Sequence, residues 1–154
     1  MFESAYPKLR EQILRGSVGQ IEPWGASDGP IATLMDWNLG SGTATVVAVA
    51  DGSASIYAST GGGHIGGGQS HKEIRQAAFQ ALGVAYELRG LLRLTSEFPF
   101  PSPGEVFFYL VTGNGVYIAV DEVEPLAAQT SPLTRLGNAM QQIVTLYDKL
   151  PQTK

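Results

Sequence analysis

The period of the apolar positions changes several times along the chain, and each change predicts an element. Phe2, Tyr6, Leu9 and Ile13 stand at i, i+4, i+7 and i+11, one stripe of a helix from about Ser4 to Arg15. Pro7 falls in its first turn, where a missing N–H costs little, and Gly16 is a natural stop. Residues 17–30 read as a loop punctuated by glycine and proline, and Trp24 within it is expected to pin that loop to the core. Ile31–Trp37 predicts a strand. Thr43–Ala50 predicts a second whose faces are both apolar or small, as in a strand covered on two sides. Asp51-Gly52 predicts a type I′ turn into Ser53–Thr60. In that segment Ser53, Ser55, Tyr57 and Ser59 alternate with Ala54, Ile56 and Ala58, the pattern of a half-exposed strand.

A long helix follows. Ser70 and Glu73 have capping-box spacing, and Ile74, Ala77, Ala78, Ala81, Leu82, Ala85, Leu88 and Leu92 form its core stripe, with an end near Gly90. Leu91–Phe98 reads either as a short strand or as the frayed helix end, and Pro99, Pro101 and Pro103 mark a loop. Glu105–Thr112 and Val116–Val120 form a hairpin about Gly113-Asn114-Gly115. Ser131 caps a last helix with Pro132 at its first position; Leu133, Leu136, Met140, Ile143, Val144 and Tyr147 line its core face. All strand pairs are hairpin-like. The prediction is a single α+β domain over residues 1–154, an antiparallel sheet of about five strands flanked by helices.

Composition narrows the function classes. With 154 residues the chain can bury one full core without staples, and the absence of cysteine excludes disulfides, thiol catalysis and thiolate metal sites. A formal charge of −4 lacks the basic footprint of a general nucleic-acid binder. Residues 1–7 carry neither the basic nor the apolar region of a secretory signal, and no stretch approaches the ~20 apolar residues of a membrane span. A cytoplasmic protein without nucleic-acid or membrane partners is the expectation.

The 19 glycines cluster. Gly61-Gly62-Gly63-His64-Ile65-Gly66-Gly67-Gly68 contains a literal Gly-x-Gly-x-x-Gly between a strand and a helix, where backbone amides can approach an anion. The preceding strand belongs to a hairpin, no second parallel strand ends in an acidic residue, and no lysine stands as in a phosphate-binding P-loop. Three readings stand: a nucleotide or anion site, a strand-to-helix crossover, or a loop that is either mobile or ordered by close approach of a ligand, partner or second subunit. A binding reading makes Gly61, Gly62, Gly63, His64, Gly66, Gly67, Gly68, Ser70 and His71 a candidate ligand- or partner-binding loop. His64 and His71, with Glu73 or Asp51, match no metal-ligand spacing. Ser59, Thr60 and Ser70 near His64 form no nucleophile elbow; Ser70 is better read as a cap and Asp51 as a turn residue. Asp121, Glu122 and Glu124 read as a solvated edge. No catalytic residue, metal site or cofactor is expected.

The long helix carries a second signal. Phe79, Gly83, Tyr86 and Gly90 fall within roughly 60° of one another, nearly opposite the core stripe. Each mid-helix glycine costs about 1 kcal/mol relative to alanine. Either the loop 17–30 covers this face partly, or the face is a dimer interface in which glycines admit a partner helix between aromatic knobs.

Leu34-Met35-Asp36-Trp37 and the run Thr45–Gly68, with its Asp51-Gly52-Ser53-Ala54-Ser55 and Ser59-Thr60-Gly61-Gly62-Gly63 segments, resemble a family of bacterial proteins without an assigned activity. More distantly, the hairpin Thr45–Ser59, the helix after it, and Leu110–Val120 with the last helix look like the roadblock fold, itself profilin-like. That resemblance implies a non-enzymatic homodimer that regulates small GTPases or acts as a scaffold. The segment 17–42 and the glycine loop have no roadblock counterpart. The functional expectation is a non-catalytic homodimeric binding or regulatory module with a protein partner such as a small GTPase. The alternative is a small-molecule or nucleotide binder, with or without enzymatic activity, using the loop 61–68 and the N-terminus of the following helix.

Overall fold

The computed structural model describes residues 10–14, 22–25, 28–38, 40–59, 63–64 and 71–149. Residues 10–14 form a helical turn inside the first predicted helix. The elements that follow are β1 (Pro30–Asn38), β2 (Thr43–Val49), β3 (Ala54–Ala58), β4 (Gly63–His64), α1 (Lys72–Glu87), a 3₁₀ turn (Arg89–Leu91), β5 (Arg93–Thr95), β6 (Glu105–Thr112), β7 (Gly115–Glu122), α2 (Val123–Ala127) and α3 (Thr134–Asp148). The strands make one antiparallel sheet in the order β4-β3-β2-β1-β6-β7-β5. The fold is α+β, as the hairpin-like patterning predicts. Among the described residues the sheet has seven strands rather than about five, because two short strands, β4 and β5, extend its edges.

The sheet is covered on both faces, which is why its central strands read as nearly continuous apolar runs. On one face α1 and α3 bury Ile74, Ala78, Leu82, Leu136, Met140 and Ile143 against Met35, Val46, Val106, Phe108 and Leu110. Each fully buried leucine or isoleucine there contributes about 1.5–3 kcal/mol. On the other face Leu14 packs with Leu34, Val47, Tyr57, Phe107, Tyr109 and Ile118. The phenol of Tyr147 donates to Ala54 O at 2.6 Å and ties α3 to β3.

Several local expectations are corrected. The β2–β3 connection is not type I′, which needs a positive φ at Asp51 as well as Gly52; among the described residues only Gly52 there is left-handed, at φ 92°. Gly52 N–H donates to Val49 O, and Val49 N–H to Ser53 O. These bonds define a three-residue loop with glycine at the left-handed position. β3 is not half-exposed: Ser55 and Tyr57 are buried on the second face. His71 is the N-cap of α1, without a side-chain capping bond, so the helix starts one residue later than a Ser70 cap predicts; Ser70 itself lies outside the described residues. α1 ends at Glu87, and Gly90 sits in the 3₁₀ turn beyond it. Ser131 caps a lead-in turn: its Oγ accepts from Leu133 N–H, and α3 begins at Thr134. The short helix α2 has no forerunner in the sequence pattern.

Candidate functional site

The helix face singled out in the sequence is present in part. Phe79, Gly83 and Tyr86 share the outward side of α1, while Gly90 is displaced into the turn. Trp24 packs against the helical core, donates its indole N–H to Ala50 O at 2.9 Å, and meets Phe79 at a ring-centroid distance of 5.7 Å. Trp24 of the segment 17–30 therefore packs at one end of this face, in line with one of the two readings. Phe79 is nevertheless 36% exposed. A Cβ built on Gly83 would meet nothing within 4 Å among the described residues. Packing among those residues gives no reason for glycine at that position. Arg89 lies over the Tyr86 ring at 4.0 Å and donates to Tyr86 O at 2.6 Å.

Of the glycine loop, Gly63 and His64 lie in β4, paired with β3 at Tyr57 and Ile56. Gly61, Gly62, Gly66, Gly67, Gly68 and Ser70 lie outside the described residues. Asp51 is exposed, and its Oδ1 accepts from Ser53 N–H, the turn role expected of it. Glu122 and Glu124 are exposed; Asp121 is half-buried and accepts from the Ser131 hydroxyl, which anchors the lead-in turn of α3 to β7. Among the described residues no three histidines, aspartates or glutamates come together as metal ligands. No helix among them is long and apolar enough to cross a membrane.

A buried ionic cluster on the second face was not foreseen. Arg10 and Asp36 are 2% and 0% exposed. Arg10 Nε donates to Asp36 Oδ2 at 2.8 Å, and Nη2 lies 2.7 Å from the same oxygen. The remaining donors of the guanidinium reach Phe98 O at 3.0 Å, Pro99 O at 2.9 Å and the Tyr109 hydroxyl at 3.2 Å. The Phe100 ring lies 4.0 Å from the guanidinium carbon. Thr45 Oγ1 donates to Asp36 Oδ1. Burial pushes the Asp36 carboxyl above its ordinary range, while the Arg10 charge and the side-chain hydrogen bonds from Arg10 and Thr45 pull it back. The signal for the cluster was an aspartate within an otherwise apolar strand, on the face of Ala32 and Leu34.

Burial also pushes the Tyr109 phenol up to about 12. A folded value above the ordinary 10 means this group contributes stability fully present below pH 10 and lost as pH rises through about 12. Spectrophotometric titration compared with a Tyr109→Phe variant should therefore show Tyr109 ionising well above pH 10, at about 12. A full six-tyrosine transition near pH 10 in folded protein would contradict this.

No family model, no curated protein and no solved structure matches this chain.

Proposed function

We propose that the chain is a non-catalytic binding or regulatory module that works in the cytoplasm as a homodimer, joined through the outward face of α1. The observation that carries this reading is Gly83, a mid-helix glycine whose added Cβ would meet no neighbour among the described residues, standing between the half-exposed rings of Phe79 and Tyr86. Such a glycine weakens the helix by about 1 kcal/mol relative to alanine. Close approach of a second helix over Gly83, with the two aromatic rings as knobs, supplies the reason that intramolecular packing does not. A roadblock-like arrangement, with a protein partner such as a small GTPase, belongs to the same reading. The ionic cluster fits it too, because Asp36 is sealed from solvent and spends its oxygens on Arg10 and Thr45.

Phe79→Arg and Gly83→Arg should each give a folded monomer, because a guanidinium at the centre of the contact would be buried without a partner. Light scattering with circular dichroism checks both arms. A monomeric wild type, or dimers that persist in both variants, would overturn the proposal.

A further inference from the structure

Among the described residues, β7 is covered on its outer edge only in its first half. β5 pairs with it at Val116, Tyr117 and Ile118, and the chain reaches β5 through the 3₁₀ turn Arg89–Leu91 rather than along the sheet. One bond fixes where the main-chain groups beyond Ile118 point: Val123 N–H donates to Gly104 O at 3.0 Å, in the register of β6 and β7. Bonding direction alternates along an antiparallel strand, so Tyr117, Ala119 and Asp121 also face β6, while Val116, Ile118, Val120 and Glu122 face outward. Val116 and Ile118 meet Thr95 and Arg93 of β5. Glu122 N–H donates to Asp121 Oδ1 at 2.8 Å. The N–H and C=O of Val120 have no hydrogen-bond partner among the described residues.

The surroundings of Val120 suit an extended guest. A groove of about 480 Å³ follows this edge, with Leu91, Leu92, Ala119, Pro132 and Leu133 as its apolar wall. Val120 is 51% exposed and Leu91 50%. The charge at the Glu122 end is of one sign. Glu122 and Glu124 are exposed, Glu105 stands opposite Glu122, and none of the three pairs with a lysine or arginine among the described residues. Arg93, the one cation among the lining residues, lies at the other end, opposite Ile118. A second copy paired edge to edge here would set these carboxylates against their own kind, which is repulsive. A basic strand meets them favourably.

We propose that the open stretch of β7 at Val120 takes up an extended, basic peptide segment of a protein partner as an added antiparallel strand. The peptide residue opposite Val120 exchanges both main-chain bonds with it. The residue before that one sends an apolar side chain into the groove on the helical side, and the next sets a lysine or arginine beside Glu122.

The peptide acetyl-Gly-Lys-Leu-Val-Thr-Gly-amide, titrated into the ¹⁵N-labelled full chain, tests this. It should shift the Val120 amide and slow its exchange with solvent. Methylating the main-chain nitrogen of the peptide valine removes a ladder donor and should weaken binding at least about fivefold. Glutamate in place of the peptide lysine should weaken it about two- to fivefold at low salt, and Glu122→Lys should reverse that preference. Phe79, Gly83 and Tyr86 do not line the groove, so Phe79→Arg should bind the peptide as wild type does and separates this proposal from the α1 interface. The proposal is overturned if Val120 does not shift up to the solubility limit of the peptide, or if the methylated peptide binds equally well. A lysine preference that survives Glu122→Lys would overturn it too, as would a Val120 signal that changes with protein concentration alone, which would give the edge to a second copy.

Discussion

Asp36→Leu alone is expected to lower the unfolding free energy by about 3–5 kcal/mol, because it leaves the buried Arg10 guanidinium without its counter-charge. Arg10→Met alone should cost a similar amount by stranding the carboxylate, whose oxygens then keep only Thr45 among the side chains described around them. The double variant removes both charges at once. For Asp36 the cost of burial outweighs the pull of Arg10, so a pair of well-packed apolar side chains should be tolerated far better than either single change. The double variant should lie within about 2 kcal/mol of wild type, the residual cost coming from the Phe98 and Pro99 carbonyls that lose a donor. Urea unfolding of the four proteins gives the coupling energy directly. Additive single costs would mean that the two charges do not depend on each other, contrary to the 2.7 Å contact.

The second large effect is expected at Gly52. Its φ of +92° costs an L-residue roughly 1–2 kcal/mol on its own. An added Cβ would also come within 2.5 Å of Arg75 Cγ and 3.1 Å of Phe79 Cζ, so the turn presses against the first half of α1. Gly52→Val should therefore cost about 2–3 kcal/mol, a drop of several degrees in Tm for a chain of this size. Gly40→Ala is the internal control. Gly40 is also left-handed, at φ +100°, but a Cβ there meets nothing within 4 Å among the described residues, so it reports the backbone cost. Gly52→Ala costing no more than Gly40→Ala would show that Arg75 and Phe79 simply move aside.

The five long strands were legible as apolar runs bounded by glycine, proline and turn residues, since burial on both faces leaves the central ones without alternation, and the cores of α1 and α3 because burial of one helix face imposes a period of 3.6 on the sequence. Glu105–Thr112 is strand over its full predicted length. Element ends were less legible, since they depend on which backbone group finds a partner. The cap of α1 moved by one residue and that of α3 by two, because Ser131 spends its hydroxyl on Asp121 and on a lead-in turn. α2 was invisible: five residues are too few to show a period. The ionic cluster was missed because Arg10 and Asp36 are 26 residues apart and only the folded sheet brings them together. The groove beside β7 was missed for the same reason, its walls coming from the 3₁₀ turn, β5, β7 and the lead-in turn of α3. Trp24 was placed correctly from chemistry alone, an indole in a loop being expected to pack on the core; its hydrogen bond to Ala50 O was not foreseen.

The middle of the sheet has a consequence for how the chain is made. β1 pairs with β2 across a short connection, but its other edge waits for β6, and Thr33 reaches the carbonyl of Tyr109 across a separation of 76 residues. On a ribosome, β1, β2 and β3 emerge and pair while β6 has yet to be synthesised. Through that interval the strand destined for the centre of the sheet presents an open apolar edge, ready to pair with any neighbouring nascent chain. Closure of that seam is a non-local step, slow relative to the local hairpins. Slowed translation between residues 60 and 105 should therefore raise the aggregated fraction even though the finished molecule, with β1 enclosed between β2 and β6, offers no such edge.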